Sequence, residues 1–355
     1  MFNRHTFTGA LEDTRSPEEK QKDYVIEEVV AAYAPVNLQP ITVDRMKVYP
    51  RRNQAQSSTC VAQTVAKMGG VLRDEQYSEF IEYSATPTYQ NRKNKPSLGM
   101  WGVDAMQLWK DKGITLETLV PSQNLSEAQI EAQPVNEYDK QVAGISKIDA
   151  YIQLPRGNFD LLLSTLQTTK KPIMVWFKGE YNEWSRDIPT IIYADRHIDR
   201  DYFTVHHSVT ATPNIGIYDG KEGFTIEDSW GSAGINGLGI RWITREFYEA
   251  RNTYAAYVTS FKSYEDIGVV PAKPQHRFTG NLEYGMQANP DVIALQDILK
   301  YEGLFPANQS STGNYYEITR KAVLAWQIKH GVPTDGLEGR LVGVKTKKEL
   351  NRLYG

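Results

Sequence analysis

Hydrophobic spacing divides the 355-residue chain into stretches of different period. From Cys60 to Leu72 the residues are compatible with a helix, and Ser58 or Thr59 is a good N-cap that places Cys60 in the first turn. Beyond Lys171 the period drops to two. Met174-Val175-Trp176-Phe177 and the segments 202–211, 223–230 and 237–242 fit an antiparallel sheet. After residue 285 the spacing returns to that of helices. Val292, Leu295, Ile298 and Leu299 share one face, Ile318, Ala322, Val323 and Trp326 repeat the pattern, and a third short helix runs from about 346 to 353.

Breaks in these patterns set the expected domains. Residues 1–33 are polar until Tyr24, and Ser16-Pro17-Glu18-Glu19 starts a short amphipathic helix that either docks on the body or serves as a pro-segment. Pro35, Pro40 and Pro50 make 34–57 extended. Residues 263–285 read as a linker rich in Pro, Gly and charge. The expectation is an N-terminal extension (1–33), an α+β domain (34–262) with a helical half and a sheet half, the linker, and a small helical domain (286–355).

Composition changes this picture mainly by exclusion. A chain that is 40% hydrophobic and 23% charged has the balance of a globular protein. A formal charge of −3 without a long basic run makes nucleic acid a poor partner. No stretch approaches the roughly 18 apolar residues of a membrane span, and the N-terminus lacks the apolar region of a Sec-type signal. With one cysteine, the fold is expected to stand without disulfides.

That cysteine, Cys60, follows Gln54 by six positions. A helix N-terminus is where an anionic nucleophile is favoured, so the thiol is a candidate nucleophile as well as a candidate small core residue. Roughly 150 residues further along comes His207, on the same strand face as Phe203, Val205, Val209 and Ala211. In the next strand Phe224, Ile226, Asp228 and Trp230 share a face. A carboxylate on an inward face is costly unless paired, and His207 is its obvious partner. His197, Asp199, Asp201, His206 and His207 have metal-ligand types but no ligand spacing, so neither metal nor cofactor is expected.

Taken together these blocks resemble the papain-like cysteine peptidases over about residues 45–260. Asn53-Gln54 and Cys60 look like the oxyanion-hole glutamine and nucleophile. The strand from His207 to Ala211 looks like that of the catalytic histidine, and Ser229-Trp230-Gly231 looks like the segment after the orienting residue. Gly99 to Gly113 resembles the substrate-binding glycine stretch and its helix, and Lys171 to Val175 the strand opening the second half. The resemblance implies a papain-like two-lobed fold in which Cys60, His207, Asp228 and Gln54 are catalytic. It implies that Gly99, Met100, Trp101, Val205, Ser208 and Trp230 contact substrate. Three positions depart from the family pattern: Ser57 and Val61 stand where it has a cysteine and an aromatic, and Asp228 where it usually has asparagine. The last touches the pH profile more than the role, since a carboxylate also orients an imidazole.

Residues 286–355 resemble the three-helix peptidoglycan-binding module. The marks are Asp291-Val292, Leu295-Gln296, Gly303, Ile318-Thr319, Ala322-Val323, Trp326-Gln327, Asp335-Gly336, Gly343 and Thr346. Nine Lys/Arg against seven Asp/Glu there suit a weakly acidic polymer. The implied function is a cysteine-type peptidase acting on protein or peptide. Its C-terminal module would hold it at a bacterial cell wall or in a bacteriophage particle, with peptidoglycan as partner. The competing expectation is a catalytically silent papain-like scaffold that binds wall or builds a virion.

Overall fold

A computed structural model describes residues 9–11, 16, 36–180, 184, 189–191, 204–262, 274–302, 304–305, 310–334 and 336–355. The chain divides into two compact units, one of residues 1–133 and 143–263 and the other of 134–142 and 264–355. Most of the N-terminal extension, half of the linker, and His197, Asp199 and Asp201 lie outside the described residues.

Helix α1 (Cys60–Tyr77) is the centre of the first unit, and every residue from Cys60 to Arg73 on it is buried. A helix enclosed on all sides needs close neighbours and satisfied polar groups. Gly69 and Gly70 provide the approach: a β-carbon at Gly69 would lie 2.3 Å from Ile114 Cδ1, and one at Gly70 2.7 Å from the Ile81 carbonyl oxygen. The polar residues are tied individually, Gln63 donating to the Ser122 carbonyl at 2.9 Å and Thr64 to that of Cys60 at 2.9 Å. Short helices α2 (Thr86–Gln90), α3 (Gly102–Lys112), α4 (Glu127–Ala132) and α5 (Glu137–Ile145) follow. Val61, Val65, Met68, Met106 and Trp109 are part of the core that α1 shares with this half.

The second half is a seven-stranded sheet in the order β1-β7-β2-β4-β5-β6-β3, among the described residues. Its strands are β1 (Tyr151–Gln153), β2 (Ile173–Glu180), β3 (Thr190–Ile191), β4 (Thr204–Tyr218), β5 (Lys221–Glu227), β6 (Ile240–Thr244) and β7 (Asn252–Val258). All pairings are antiparallel except β3 with β6. Helices α6 (Phe159–Thr169) and α7 (Arg245–Arg251) contribute to its core with Phe159, Leu162, Leu166, Phe247 and Tyr248. Period two located the central strands but not their ends. β4 continues to Tyr218, with a register shift between Ala211 and Ile215 that accommodates Pro213. The carboxylate expected on the following strand lies just past it, because β5 ends at Glu227 and Asp228 is the first residue of the turn.

In the second unit, α8 (Pro290–Tyr301), α9 (Glu317–Lys329) and α10 (Val344–Tyr354) surround a core of Val292, Leu295, Ile298, Leu299, Val323, Trp326 and Leu350. Asn289 caps α8, its side-chain oxygen accepting from Asp291 and Val292 N–H, and Pro290 takes the first helical position. β8 (Leu282–Glu283) and β9 (Leu341–Val342) pair antiparallel. Ile318 does not face inward as its spacing suggested. It is 46% exposed, and the neighbouring Thr319 is buried instead, accepting from Gln296 at 2.9 Å.

Lys67 on α1 and Glu227 on β5 form a buried ion pair at 3.3 Å. Burial is the largest influence on each, lowering the ammonium pKa and raising that of the carboxyl against their mutual attraction. Such a pair adds little to stability but is costly to break from one side. Glu227→Gln, which removes the counter-charge and leaves the buried ammonium its bond to the Pro50 carbonyl, should lower unfolding free energy by about 3 kcal/mol in urea titration. A joint Lys67→Met, Glu227→Leu change should recover most of that loss. A Glu227→Gln variant within about 1 kcal/mol of wild type would mean the pair does not hold α1 to the sheet.

Candidate active site

The loop before α1 and the loop after β5 are stitched together through their backbones. Gln54 N–H donates to the Ser229 carbonyl at 2.8 Å, Gly231 N–H to that of Arg52 at 2.8 Å, and Asn53 and Trp230 form an antiparallel bridge. This fixes the start of α1 relative to the turn that carries Asp228. β4 is held to the same helix by side chains, Ser208 Oγ donating to Thr64 Oγ1 at 3.0 Å and Thr210 Oγ1 to the Thr64 carbonyl at 3.3 Å.

Three of the expected catalytic side chains meet where these elements converge. His207 is buried on β4 opposite Phe177 of β2. Its Nε2 lies 2.8 Å from Asp228 Oδ1, and the Cys60 thiol is near enough to act on its charge state. With Nε2 committed to the carboxylate, Nδ1 is the nitrogen left for sulfur. Burial depresses the imidazole pKa, but the Asp228 charge and hydrogen bond, then the Cys60 contact, outweigh it, and His207 is pushed up to about 9. Trp230 packs 5.1 Å from the His207 ring and Trp184 packs edge-on at 5.5 Å, shielding the histidine–aspartate bond from water.

Gln54 is the fourth. Ser229 Oγ donates to its Oε1 at 2.6 Å, and its Nε2 donates to the Ser57 carbonyl at 2.7 Å. The amide nitrogen has two hydrogens, so its orientation is fixed while one donor remains. Thr59 is the N-cap residue of α1, yet its side chain caps nothing; its hydroxyl engages Ser57 Oγ at 2.8 Å instead. The first-turn N–H groups beside Cys60 are therefore not consumed by a capping oxygen.

Of the six residues expected to touch substrate, Gly99 and Met100 form a backbone edge that is already paired. Met100 N–H donates to the Gly9 carbonyl at 2.8 Å and Leu11 N–H to that of Met100 at 3.0 Å, giving a parallel bridge between Ala10 and Met100. The Met100 side chain is buried in the core, and Trp101 is half-buried at the N-cap of α3. Ser208 is buried against Thr64, and Trp230 against His207. The Val205 side chain lies outside the described residues. Cys60 itself is only 1% exposed, and a β-carbon at Gly9 would come 2.5 Å from its Sγ. Only glycine fits over the sulfur.

Sequence reading missed three contributors. Arg241 on β6 is wholly buried and donates from Nε to Asp228 Oδ2 at 2.7 Å, and Trp184 Nε1 donates to the same oxygen at 3.2 Å. The arginine had one visible signal, a lone cation inside the apolar run Ile240-Arg241-Trp242-Ile243. Trp184 and Gly9 had none.

Solved structures share this arrangement of elements. Xylellain, a cysteine protease from Xylella fastidiosa, is similar at 17% identity and a TM-score of 0.55, over 73% of this chain and 98% of its own. A structure from a study of the mite allergens Blo t 1 and Der p 1 is similar at 19% identity and a TM-score of 0.52, over 73% and 83%. The digestive procathepsin L2 proteinase of Tenebrio molitor larval midgut is similar at 16% identity and a TM-score of 0.53, over 72% and 79%. The fold is papain-like. Residues 288–341 match the peptidoglycan binding domain family. No curated protein matches the chain.

In this papain-like unit the charge state of His207 carries a measurable signature. Its folded-state pKa of about 9 lies above the ordinary 6.5. Protonated His207 therefore stabilises the fold fully below about pH 6.5, and that contribution is lost as pH rises through about 9. Ring-proton NMR should show a midpoint near 9 in the wild type and a much lower one in Asp228→Asn, whose amide carries no charge. A wild-type midpoint at the value of free imidazole would separate His207 from Asp228 in solution.

Proposed function

We propose that the chain is a cysteine peptidase whose C-terminal domain holds it to peptidoglycan. The observation that carries the peptidase reading is the convergence of Cys60, His207 and Asp228, with His207 Nε2 2.8 Å from Asp228 Oδ1 and the Cys60 thiol near enough to raise the imidazole pKa. His207 Nδ1 holds the proton that has left the thiol, and the sulfur of the resulting ion pair attacks the carbonyl carbon of a peptide bond. Negative charge on the carbonyl oxygen is met by the free Gln54 N–H and the Cys60 backbone N–H, donors of a kind worth about 2.7–4 kcal/mol in the transition state. The imidazolium returns its proton to the leaving amine as the C–N bond breaks. Water, deprotonated by the same nitrogen, then cleaves the thioester and restores the thiol.

Residues 9–11 give this enzyme a closed state. They pair with the backbone edge at Met100, and Gly9 covers the sulfur, so no peptide can be attacked while they are in place. The N-terminal extension is thus a latency segment, and its glycine is what allows the approach. Anchoring is supported by the match over residues 288–341 and by the excess of basic residues in that domain.

Cys60→Ala should abolish peptide hydrolysis with thermal stability changed by about 1 kcal/mol or less. In contrast, Gly9→Val, which cannot keep a β-carbon at that place, should raise kcat/KM on a small peptide several-fold by releasing the segment. Hydrolysis surviving in the alanine variant would remove Cys60 from the mechanism; unchanged or lower turnover in the valine variant would mean that residue 9 does not guard it.

Deleting residues 283–355 should leave turnover of a small soluble peptide nearly intact but strip the protein from insoluble peptidoglycan in a pull-down. Equal retention of full-length and truncated protein would contradict the anchor.

A further inference from the structure

Asp228 is an anion in an almost dry setting, so its charge must be balanced from within the fold. Its two oxygens have separate tasks. Oδ1 takes His207 Nε2 at 2.8 Å and the Ser229 N–H at 2.7 Å, while Oδ2 takes Arg241 Nε at 2.7 Å and Trp184 Nε1 at 3.2 Å. The Arg241 guanidinium lies 5.4 Å from the Trp184 ring and 5.7 Å from the Trp230 ring, the two indoles that flank His207. Its place is set by β6, where it registers opposite Ile226 of β5, two residues before Asp228.

We propose that Arg241 is a positioning residue of the peptidase: paired with Asp228, it fixes the carboxylate as an oriented acceptor for the His207 ring and moderates the charge that the ring meets. The inference rests on the peptidase reading above and deepens it. An asparagine at 228 would orient the ring without charge, whereas the aspartate–arginine pair orients it and keeps part of the carboxylate's charge on it. It follows that neither can be changed alone. Losing Arg241 leaves the full carboxylate charge on His207, which overstabilises the imidazolium and makes it slow to give its proton to the leaving amine. Losing Asp228 alone strands a buried guanidinium behind the histidine.

Among the described residues, the groups facing His207 are Cys60 from α1, Asp228 from the turn after β5 with Arg241 of β6 acting through it, Phe177 of β2, and the indoles of Trp184 and Trp230. The neighbouring Lys67 and Glu227 are paired with each other. A change in the titration of His207 on altering Arg241 therefore reads the Asp228–Arg241 pair.

The experiment compares wild type, Arg241→Met, Arg241→Lys, Asp228→Asn and the double variant Asp228→Asn, Arg241→Met. Three readouts are taken: kcat/KM against pH on one peptide, the pH dependence of Cys60 alkylation by iodoacetamide, and the His207 ring titration by NMR. Arg241→Met should lose ~30-fold in kcat with little change in KM, and move the alkaline limb and ring titration up by ~1 pH unit. Arg241→Lys, which keeps the charge, should leave both near wild type in pH. The double variant should recover at least ~10-fold in kcat over either single neutral variant. Additive losses, or an alkaline limb that stays fixed in Arg241→Met, would overturn the proposal. If Arg241→Met does not fold, the double variant decides: a folded, active double variant supports the pair, and an inactive one refutes it. A wild type that hydrolyses nothing, with the His207 titration still moving in Arg241→Met, would sink the peptidase reading and leave the pairing intact.

Discussion

A carboxylate buried as deeply as Asp228 can exist as an anion only where donors converge on it, and this requirement organises the papain-like unit. Its four donors come from four places: His207 on β4, Ser229 in its own turn, Arg241 on β6 and Trp184 between β2 and β3. Each must arrive at its hydrogen-bonding distance at once. The sheet order that sets β4 and β6 on either side of β5 makes that possible, since Asp228 leaves the end of the strand between them. Burial pushes its pKa up, but the Arg241 and His207 charges, with their hydrogen bonds, together hold it far below the usual carboxylate range.

The same convergence orders the other side of the site. Pairing of 52–54 with 229–231 means that the loop carrying Gln54 cannot move without disturbing Asp228. Helix α1, enclosed from Cys60 to Arg73, has no freedom to shift its first turn, so the thiol is presented by a rigid support. Geometry held in advance is what lowers an activation barrier, because no ordering remains to be done as charge develops.

The helical domain matched over 288–341 solves its own burial problem separately. Gln296 spans to Gly313, Asn314 and Thr319, and Gln327 to Thr346, so the polar residues that recur in its pattern are cross-ties between helices. Glu302 is a second internal hub: it accepts from Trp326 Nε1 at 2.8 Å, lies 2.7 Å from His330 Nε2, and also takes the Tyr354 hydroxyl, joining all three helices. These contacts explain why the sequence marks of the module describe how it folds.

Local chemistry was legible in the chain. The periods of apolar residues announced a helical part, a sheet part and a second helical part, because burial on one face imposes 3.6 or 2 wherever an element lies on a core. That His207 and Asp228 would meet was legible because a carboxylate on an inward face needs a partner, and the structure sets them 2.8 Å apart. What stayed hidden depended on contacts distant in sequence. Ile318 followed the period yet faces outward, because pattern assigns a face only to within a residue or so. Arg241 looked like an isolated charge in a strand until β6 was laid beside β5, and Gly9 looked like any glycine in a polar terminus. Their meaning lies in which partner they meet, Asp228 in one case and the Cys60 sulfur in the other. Such partnerships belong to the topology of the sheet and the path of the chain, which spacing along a sequence does not encode.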